Sequence, residues 1–466
     1  MLSLIILSVS GIAVLFLGFL KSRWILMPAT MLLLLAALLV TCLDWNNAAP
    51  YVGGFENMMA VDNISVAFSG IILLSALLII PLSRYHASQP NAQPAEYYAI
   101  LLFSLVGALM MVSYENLIML FVGIEILSIS MYILTGSDKD NLRSGEAAIK
   151  YFLMGAFATG ILLFGVALLY GATGGFSVSV IAGYIQSNAG NLPPMLYLGL
   201  TLLLVGILFK LSVAPFHFWT PDVYDGAPSV FTAFMSTIVK TAGFAALYKI
   251  LSASFVDIYD FWWVSLATMS VLTLVMGNIT AVYQSSFKRM LAYSSISHAG
   301  YLLLAVTAFN DKSQTAIIFY SLAYALATIT AFGVLILVEQ TGTDKYDSFN
   351  GLAKREPMLA LVNTVAMCSL AGMPLTAGFF GKLFIFSSAV ERGMVWMLVI
   401  AVLMSAVGFY YYFRVIIAMY MRPVNDDAGT VRAEVEVSGL YKTVLMLTAI
   451  LTLMLGIMPD VISRLF

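Results

Sequence analysis

Ionisable side chains occur inside several long apolar runs of this sequence, where charged residues are rare. Glu125 lies in the run GIEILSISMYIL. Five basic residues lie in other runs: Lys150, Lys210, Lys240, Lys382 and Arg414. Placing one such charge at the centre of a membrane helix costs roughly 2.5–3.5 kcal/mol. We therefore expect these charged side chains to have a function.

Two structural explanations compete with a chemical one. A long basic side chain near a helix end can extend to the membrane surface, which suits Arg414 and partly Lys150. That explanation fits poorly for Glu125, Lys210 and Lys240, which lie near the middle of their runs. The second explanation is a static buried ion pair that holds helices together. The chemical explanation is a proton relay, which we favour for the central positions.

Lysine is suited to a proton relay because its ammonium group is compact and strongly hydrated. Burial removes that hydration and lowers the pKa of a lysine from about 10.4 towards neutrality, whereas a nearby carboxylate raises it again. A buried lysine whose carboxylate partner comes and goes can therefore load and release a proton near neutral pH. Arginine stays charged and cannot do this, and the central positions here hold lysine.

The composition indicates that these residues lie in membrane-spanning helices. The 466 residues are 61% hydrophobic and only 10% charged, whereas soluble domains are about 45–50% apolar and about 25% charged. The net charge of −2 gives no reason to expect a nucleic-acid partner. Two cysteines and three histidines are too few and too scattered for a dependable haem or metal site. No nucleotide-binding motif occurs, so we expect redox and nucleotide chemistry in other chains.

We predict an all-α polytopic membrane protein with about fourteen transmembrane helices, since a span needs about 20 apolar residues. The first of them is expected to be a retained helix and not a signal peptide. Lys and Arg are more numerous in the loops after odd-numbered segments, which places those loops in the cytoplasm and both termini outside. The predicted segments are 2–20, 24–43, 60–82, 95–113, 116–135, 146–171, 194–218, 228–250, 258–284, 289–309, 314–340, 357–389, 393–421 and 439–464.

Proline predicts breaks in the seventh and twelfth segments. Pro215 follows Lys210 by five residues, and Pro374 precedes Lys382 by eight. A break frees a backbone carbonyl, which the membrane interior tolerates only beside protein or water. The two breaks are five segments apart, and an odd offset reverses orientation, which hints at two inverted five-helix repeats. The predicted divisions are 1–94 for segments 1–3, 95–250 for the first repeat, 251–421 for the second, and 422–466 for the last helix.

Two histidines lie near these segments. His298 occurs in KRMLAYSSISHAGY, about two turns into the tenth segment. A packing role is as plausible there as a relay role, for which its ordinary pKa near 6.5 is suitable. His217 follows the first break, and we expect it near the cytoplasmic exit.

The chain resembles the antiporter-like subunits of respiratory complex I, the bacterial NADH:quinone oxidoreductase. The resemblance covers the whole chain. It is carried by GIEILSISMYIL, EAAIKYFLMGAFATGILLFGVALLYG, FKLSVAPFHFWTPDVYDGAPSVFTAFMSTIVKTAGF, KRMLAYSSISHAGY and AGMPLTAGFFGKLFIF. These segments match, in order, the family's proton-relay positions, and the resemblance implies this role for Glu125, Lys150, Lys210, Lys240, His298 and Lys382. Lysine at position 382, rather than glutamate, is typical of one branch of the family.

The resemblance also implies where the remaining parts of the enzyme lie. NADH, FMN, iron–sulfur clusters and quinone are expected in partner subunits, with no cofactor or metal in this chain. The partners would be neighbouring antiporter-like subunits, small membrane subunits and lipid, in a bacterial inner membrane. A proton would pass by water from the Glu125–Lys210 pair through Lys240 and His298 to Lys382. The alternatives are an Mrp-type cation/proton antiporter and a structural membrane subunit that does not pump.

Overall fold

The computed structural model describes residues 2–20, 23–45, 58–89, 91–423 and 437–463. Within those ranges the secondary structure is helical apart from three isolated β-bridges. Among the described residues, eleven helices are long and apolar enough to cross a membrane. The chain is therefore a polytopic helical membrane protein, as predicted. Lys21, Arg432 and Arg464, which contributed to the predicted orientation, lie outside the described residues.

Among the described residues, ten α-helices of at least six residues precede Met235. They are α1 Leu2–Leu17, α2 Leu26–Leu43, α3 Asn63–Ile79, α4 Pro94–Ser113, α5 Leu117–Thr135, α6 Leu142–Thr173, α7 Val178–Ser187, α8 Pro194–Lys210, α9 Trp219–Gly226 and α10 Ser229–Phe234. After a π-helical turn, Met235–Val239, the others follow. They are α11 Lys240–Ser254, α12 Tyr259–Val282, α13 Phe287–Ala308, α14 Asp311–Thr341, α15 Pro357–Ala371, α16 Ala377–Glu391, α17 Val395–Met421 and α18 Gly439–Ile457.

Both predicted breaks are present. Helix α8 ends at Lys210, and helical structure resumes at Trp219. Helix α15 ends at Ala371, and α16 begins at Ala377. Non-glycine residues adopt left-handed backbone angles in both breaks, with φ of 61° at Ser212 and 69° at Leu375. Such angles are costly outside glycine and persist only where the surroundings hold them, so both breaks are defined features of the fold.

Two differences from the predicted segments have physical causes. Three predicted segments correspond to helices that are too short to count as spans alone: Leu2–Leu17, Pro194–Lys210 and Pro357–Ala371. The last two are short because the breaks interrupt them. Helix α7 has no counterpart among the predicted segments, because its ten residues lie between the sixth and the seventh of them. Its buried residues Val178, Ile181 and Ile185 follow the helical spacing of an amphipathic helix, a signal that a search for long apolar runs overlooks.

The described residues divide into two units. The first contains Met1–Ser212 and Gly226–Ser265, and the second contains Val213–Asp225 and Leu266–Phe466. In the first unit, close helix packing depends on glycine. A Cβ on Gly107 of α4 would come within 2.6 Å of the Gly123 carbonyl oxygen on α5, and one on Gly165 of α6 within 2.7 Å of the Gly199 oxygen on α8. Small residues at membrane helix contacts allow such approach, and here they bring α4 against α5 and α6 against α8.

In the second unit α13 and α14 are almost wholly buried. Helix α14 packs against α13, α15, α16 and α18, so its side chains face other helices and not lipid. A helix that is apolar all round and buried all round is expected at the centre of a bundle. The polar residues that α13 and α14 carry are therefore enclosed by protein.

Candidate functional site

Lys210 is the last residue of α8, and its side chain is buried among three helices. Its Nζ donates to Ser128 Oγ on α5 at 2.7 Å and to Tyr151 Oη on α6 at 3.3 Å. The ammonium also lies 5.4 Å from the Tyr151 ring centre and 5.9 Å from that of Tyr132. The carbonyl end of a helix favours a positive charge. The site therefore holds an amine with neutral hydroxyls and ring faces as its neighbours.

Glu125 lies one turn before Ser128 on the same helix. Its Oε1 is buried and has no hydrogen-bond partner among the described residues. In the described part of the chain the Lys210 ammonium is bonded to hydroxyls and not to this carboxylate. Glu125 and Lys210 therefore lie on either side of Ser128 without an ion pair between them, and their function as a pair stays a prediction.

Lys240 is fully enclosed within the first unit. It is 2% exposed and directly follows the π-helical turn Met235–Val239. Single π-helical turns inside α-helices are rare and frequent at functional sites. Gly243, one turn later, lies against Leu211, the residue after Lys210, since a Cβ there would be 2.6 Å from Leu211 Cδ2. This contact brings the helix that carries Lys240 against the end of the helix that carries Lys210.

Lys150 is paired with a carboxylate on its own helix, and its side chain is partly exposed. Its Nζ lies 2.8 Å from Glu146 Oε1, one turn earlier on α6, and the two side chains are 42% and 64% exposed. The buried face of α6 instead carries Tyr151, together with Ala147 and Ala158. Lys150 therefore lies on the exposed face of α6 in this chain, and its role in the relay stays a prediction. The helical spacing of small and aromatic residues around position 151 could have shown this.

Lys382 lies on α16, shortly after the second break, and its side chain bonds back to the helix before the break. From α16 its Nζ donates to the carbonyl oxygens of Leu370 at 3.2 Å and Ala371 at 2.8 Å, at the end of α15, and to Ser405 Oγ on α17 at 2.9 Å. The ammonium thus satisfies carbonyls that the helix end leaves without partners. Gly372 has φ of 90°, and a Cβ there would be 3.0 Å from Lys382 Cδ.

His298 is buried on α13 between two tyrosines. Its Nδ1 lies 2.6 Å from Tyr320 Oη, and its Nε2 lies 3.0 Å from Tyr412 Oη. His217 is buried, with 4% of its surface exposed, and its position near the cytoplasmic exit stays a prediction. It lies between the end of α8 and α9, a segment that the structure assigns to the second unit.

Arg414 matches the structural explanation given for it. Its guanidinium lies 4.2 Å from the Tyr346 ring centre and donates to the Gln284 carbonyl oxygen at 3.1 Å. Both partners lie in or beside loops. A permanently charged group held in this way is not a proton carrier.

Each unit thus contains one cluster of the predicted residues. Glu125, Lys210 and Lys240 lie in the first unit, and His298 and Lys382 in the second. The hydroxyl groups that contact them were missed: Ser128, Tyr151, Tyr320, Ser405 and Tyr412. Among the described residues no three metal-ligating side chains come together. The chemistry available at these clusters is proton transfer between amines, an imidazole, a carboxylate and hydroxyls.

Comparison with known proteins gives consistent matches over nearly the whole chain. Residues 115–408 match the family model described as NADH:quinone oxidoreductase/Mrp antiporter, TM. The chain is 41% identical to NADH-quinone oxidoreductase subunit N of Trichlorobacter lovleyi, covering 99% of this chain and 94% of that one. It is 39% identical to the subunit N of Cytophaga hutchinsonii, covering 99% and 98%. A chain of respiratory complex I from Thermus thermophilus superposes with a TM-score of 0.83 at 36% identity, covering 98% and 97%.

Proposed function

Because the chain belongs to the NADH:quinone oxidoreductase/Mrp antiporter family, we propose that it is a proton-translocating subunit in the membrane arm of a type I NADH:quinone oxidoreductase. Oxidation of NADH and reduction of quinone take place in partner subunits, which carry the flavin and the iron–sulfur clusters. This chain contributes a proton path through the bilayer. Its partners are the other membrane-arm subunits and lipid.

The observation that carries the proposal is the burial of three lysines inside membrane helices. Lys210, Lys240 and Lys382 are 5%, 2% and 6% exposed. None of them reaches the surface as a snorkelling side chain would. A static ion pair is also a poor explanation, because Lys210 and Lys382 donate to neutral oxygens. Groups that alternate between charged and neutral forms explain both the burial and the neutral partners.

The Glu125–Lys210 pair is the proposed switch. Contact with the carboxylate favours the protonated amine, and withdrawal to Ser128 and Tyr151 leaves it with neutral partners in a site of low polarity. Opening the pair therefore favours release of the proton from Lys210. The energy for opening would arrive as a change of charge or hydration from a neighbouring subunit. The released proton continues to Lys240, and His298 and Lys382 serve the later steps towards the outer side.

The finer topology is part of the proposal. The fourteen proposed crossings would be the eleven spans, the shorter helix Leu2–Leu17 and the two broken helices. The excess of Lys and Arg in the loops after odd-numbered segments supports cytoplasmic odd loops and both termini on the periplasmic side of a bacterial inner membrane. The repeats at 95–250 and 251–421 belong to the same proposal.

Alanine variants of the buried lysines test this function. The complex carrying Lys210→Ala or Lys382→Ala is purified, reconstituted into sealed vesicles, and compared with the wild type for proton uptake on addition of NADH and quinone. A matched control is Lys312→Ala, which removes an exposed lysine that pairs with Glu391 at 3.1 Å. We expect pumping to fall in the two buried-site variants and to be normal in the control.

Assembly separates the proposal from its alternatives. The amount of intact complex is measured by NADH oxidation with a soluble electron acceptor. Normal pumping in both assembled variants would refute the proton relay. Loss of assembly with normal pumping per assembled complex would favour a structural subunit. Co-purification with antiporter subunits and no redox subunits would favour an Mrp-type antiporter, an activity that the matched family also includes.

A further inference from the structure

Each ring nitrogen of His298 lies within hydrogen-bond distance of a tyrosine hydroxyl group. Tyr320, on α14, lies 2.6 Å from Nδ1, and Tyr412, on α17, lies 3.0 Å from Nε2. The three residues are buried, with exposures of 3% for His298 and 1% for each tyrosine. The Tyr412 hydroxyl is also bonded to Ser294 Oγ at 2.5 Å. The imidazole is therefore the middle member of a line of hydrogen-bonding groups that continues beyond the ring.

The direction of these hydrogen bonds is tied to the protonation of the ring. A neutral imidazole has one N–H donor and one acceptor nitrogen. One tyrosine must then accept from the ring while the other donates to it. The opposite tautomer reverses both bonds. Two tyrosine hydroxyls can follow this reversal by rotation, because each hydroxyl both donates and accepts.

The Tyr320 side of the line leads towards Lys382. A Cβ on Gly381, the residue before Lys382, would come within 2.6 Å of Tyr320 Cδ2. The absence of a side chain at position 381 is therefore what allows the Tyr320 ring to lie against the backbone beside Lys382. The ring of Tyr301 connects the two, since its centre lies 4.9 Å from Lys382 Nζ and 6.4 Å from the ring centre of Tyr320.

Helix α17 aligns the same two sites from the other side. Ser405 accepts from Lys382, and Tyr412 contacts His298. Seven residues separate them, which is about two helical turns, so they lie on one face of α17. A packing role for these tyrosines would not require their hydroxyls to meet both nitrogens of a histidine.

We propose that Tyr320 and Tyr412 are proton carriers on either side of His298. A proton that reaches the Tyr412 oxygen displaces the proton already bound there, which passes to Nε2 and forms the imidazolium. The proton on Nδ1 then passes to the Tyr320 oxygen, whose own proton leaves towards Lys382. No bond other than O–H and N–H changes, and the line as a whole gains one proton and loses one. The reverse direction uses the same steps.

This geometry has a further consequence for the order of events. Each passage leaves His298 in the opposite tautomer and both hydroxyls turned round. A second proton cannot follow in the same direction until the ring and the hydroxyls return to their first arrangement. The line therefore passes one proton per reset, and the reset offers a point at which pumping can be coupled to the state of neighbouring helices.

Removing single hydroxyl groups tests the proposal, which depends on the proposed pumping function. Tyr320→Phe and Tyr412→Phe keep the rings and delete only the proton-carrying oxygen. Tyr441→Phe is the matched control, because its buried hydroxyl donates to the Gly333 carbonyl oxygen at 2.7 Å and does not contact His298. His298→Gln and Lys382→Ala serve as references for loss of the relay. All variants are assayed in reconstituted vesicles as protons pumped per assembled complex.

We expect pumping to fall at least about tenfold in both tyrosine variants, as in His298→Gln, since positioned proton-transfer groups contribute 10²–10⁴-fold. The control should pump normally. Normal pumping in Tyr320→Phe and Tyr412→Phe, with loss in His298→Gln and Lys382→Ala, would overturn the tyrosine assignment and leave the relay intact. Normal pumping in every variant would overturn the relay as well. An equal loss in Tyr441→Phe would show a general packing effect and would also overturn the assignment.

Discussion

Replacement of Ser128 by alanine is expected to slow proton pumping strongly. The Ser128 hydroxyl donates to the Ile124 carbonyl oxygen at 2.5 Å, which turns the lone pairs of its oxygen towards Lys210. The oxygen then accepts from Lys210 Nζ at 2.7 Å. This is the shorter of the two hydrogen bonds that hold the amine away from Glu125. The substitution removes it and leaves Tyr151 at 3.3 Å as the remaining acceptor.

The size of the effect follows from the charge on the donor. A hydrogen bond to a charged group contributes about 1.5–3 kcal/mol. Losing it raises the free energy of the open pair by that amount relative to the closed ion pair with Glu125. If opening limits the rate, pumping by Ser128→Ala should be roughly 10- to 150-fold slower than in the wild type.

The assay compares this variant with Ser130→Ala on the same helix. Ser130 Oγ bonds only its own helix, at the Ile126 carbonyl oxygen 2.8 Å away, so this control removes a serine hydroxyl without touching Lys210. Proton uptake by sealed vesicles is normalised to NADH oxidation with a soluble acceptor. Wild-type pumping by an assembled Ser128→Ala complex would refute the reasoning, as would equal losses in the two serine variants.

Three further predictions follow from individual contacts. The Lys382→Arg complex should assemble, as seen on a native gel, because a guanidinium can still bond the carbonyls at the end of α15. It should not pump protons in the vesicle assay, because arginine does not release its proton. Gly372→Ala should lower the stability of the complex by about 1–3 kcal/mol through its left-handed backbone, measured as thermal inactivation against Gly145→Ala, where a Cβ meets nothing within 4 Å. Lys150→Gln should keep most of its pumping, because exposed pairs such as Lys150–Glu146 contribute only about 0–1 kcal/mol. A loss of pumping as large as that of Lys210→Ala in the vesicle assay would show that Lys150 is needed despite its exposed position.

Much of this architecture could be predicted because membrane helices follow from local composition. Apolar runs revealed the long helices, and Pro215 and Pro374 revealed the two breaks. The buried lysines at 210, 240 and 382 were recognisable because inserting a charge within an apolar run costs free energy whichever way the helix is rotated. These signals lie within a few residues of one another along the chain.

Other features depend on how a helix is rotated, which composition hardly records. Lys150 and Tyr151 are adjacent in sequence, yet the first is paired at the surface and the second contacts Lys210. Tyr320 and Tyr412 lie in long aromatic-rich helices where many residues could face inwards. The π-helical turn before Lys240 has no sequence signal, since its residues, MSTIV, suit an ordinary helix. The hydroxyl partners of the relay could therefore be identified only from the three-dimensional structure.

The number of protons moved per NADH oxidised tests most directly whether the buried amines carry protons. It is measured in sealed vesicles containing the complex with both Lys210→Ala and Lys382→Ala, alongside the wild type at the same rate of NADH oxidation. The relay described above predicts a lower ratio of protons to NADH in the double variant. An unchanged ratio, with the complex fully assembled, would contradict it.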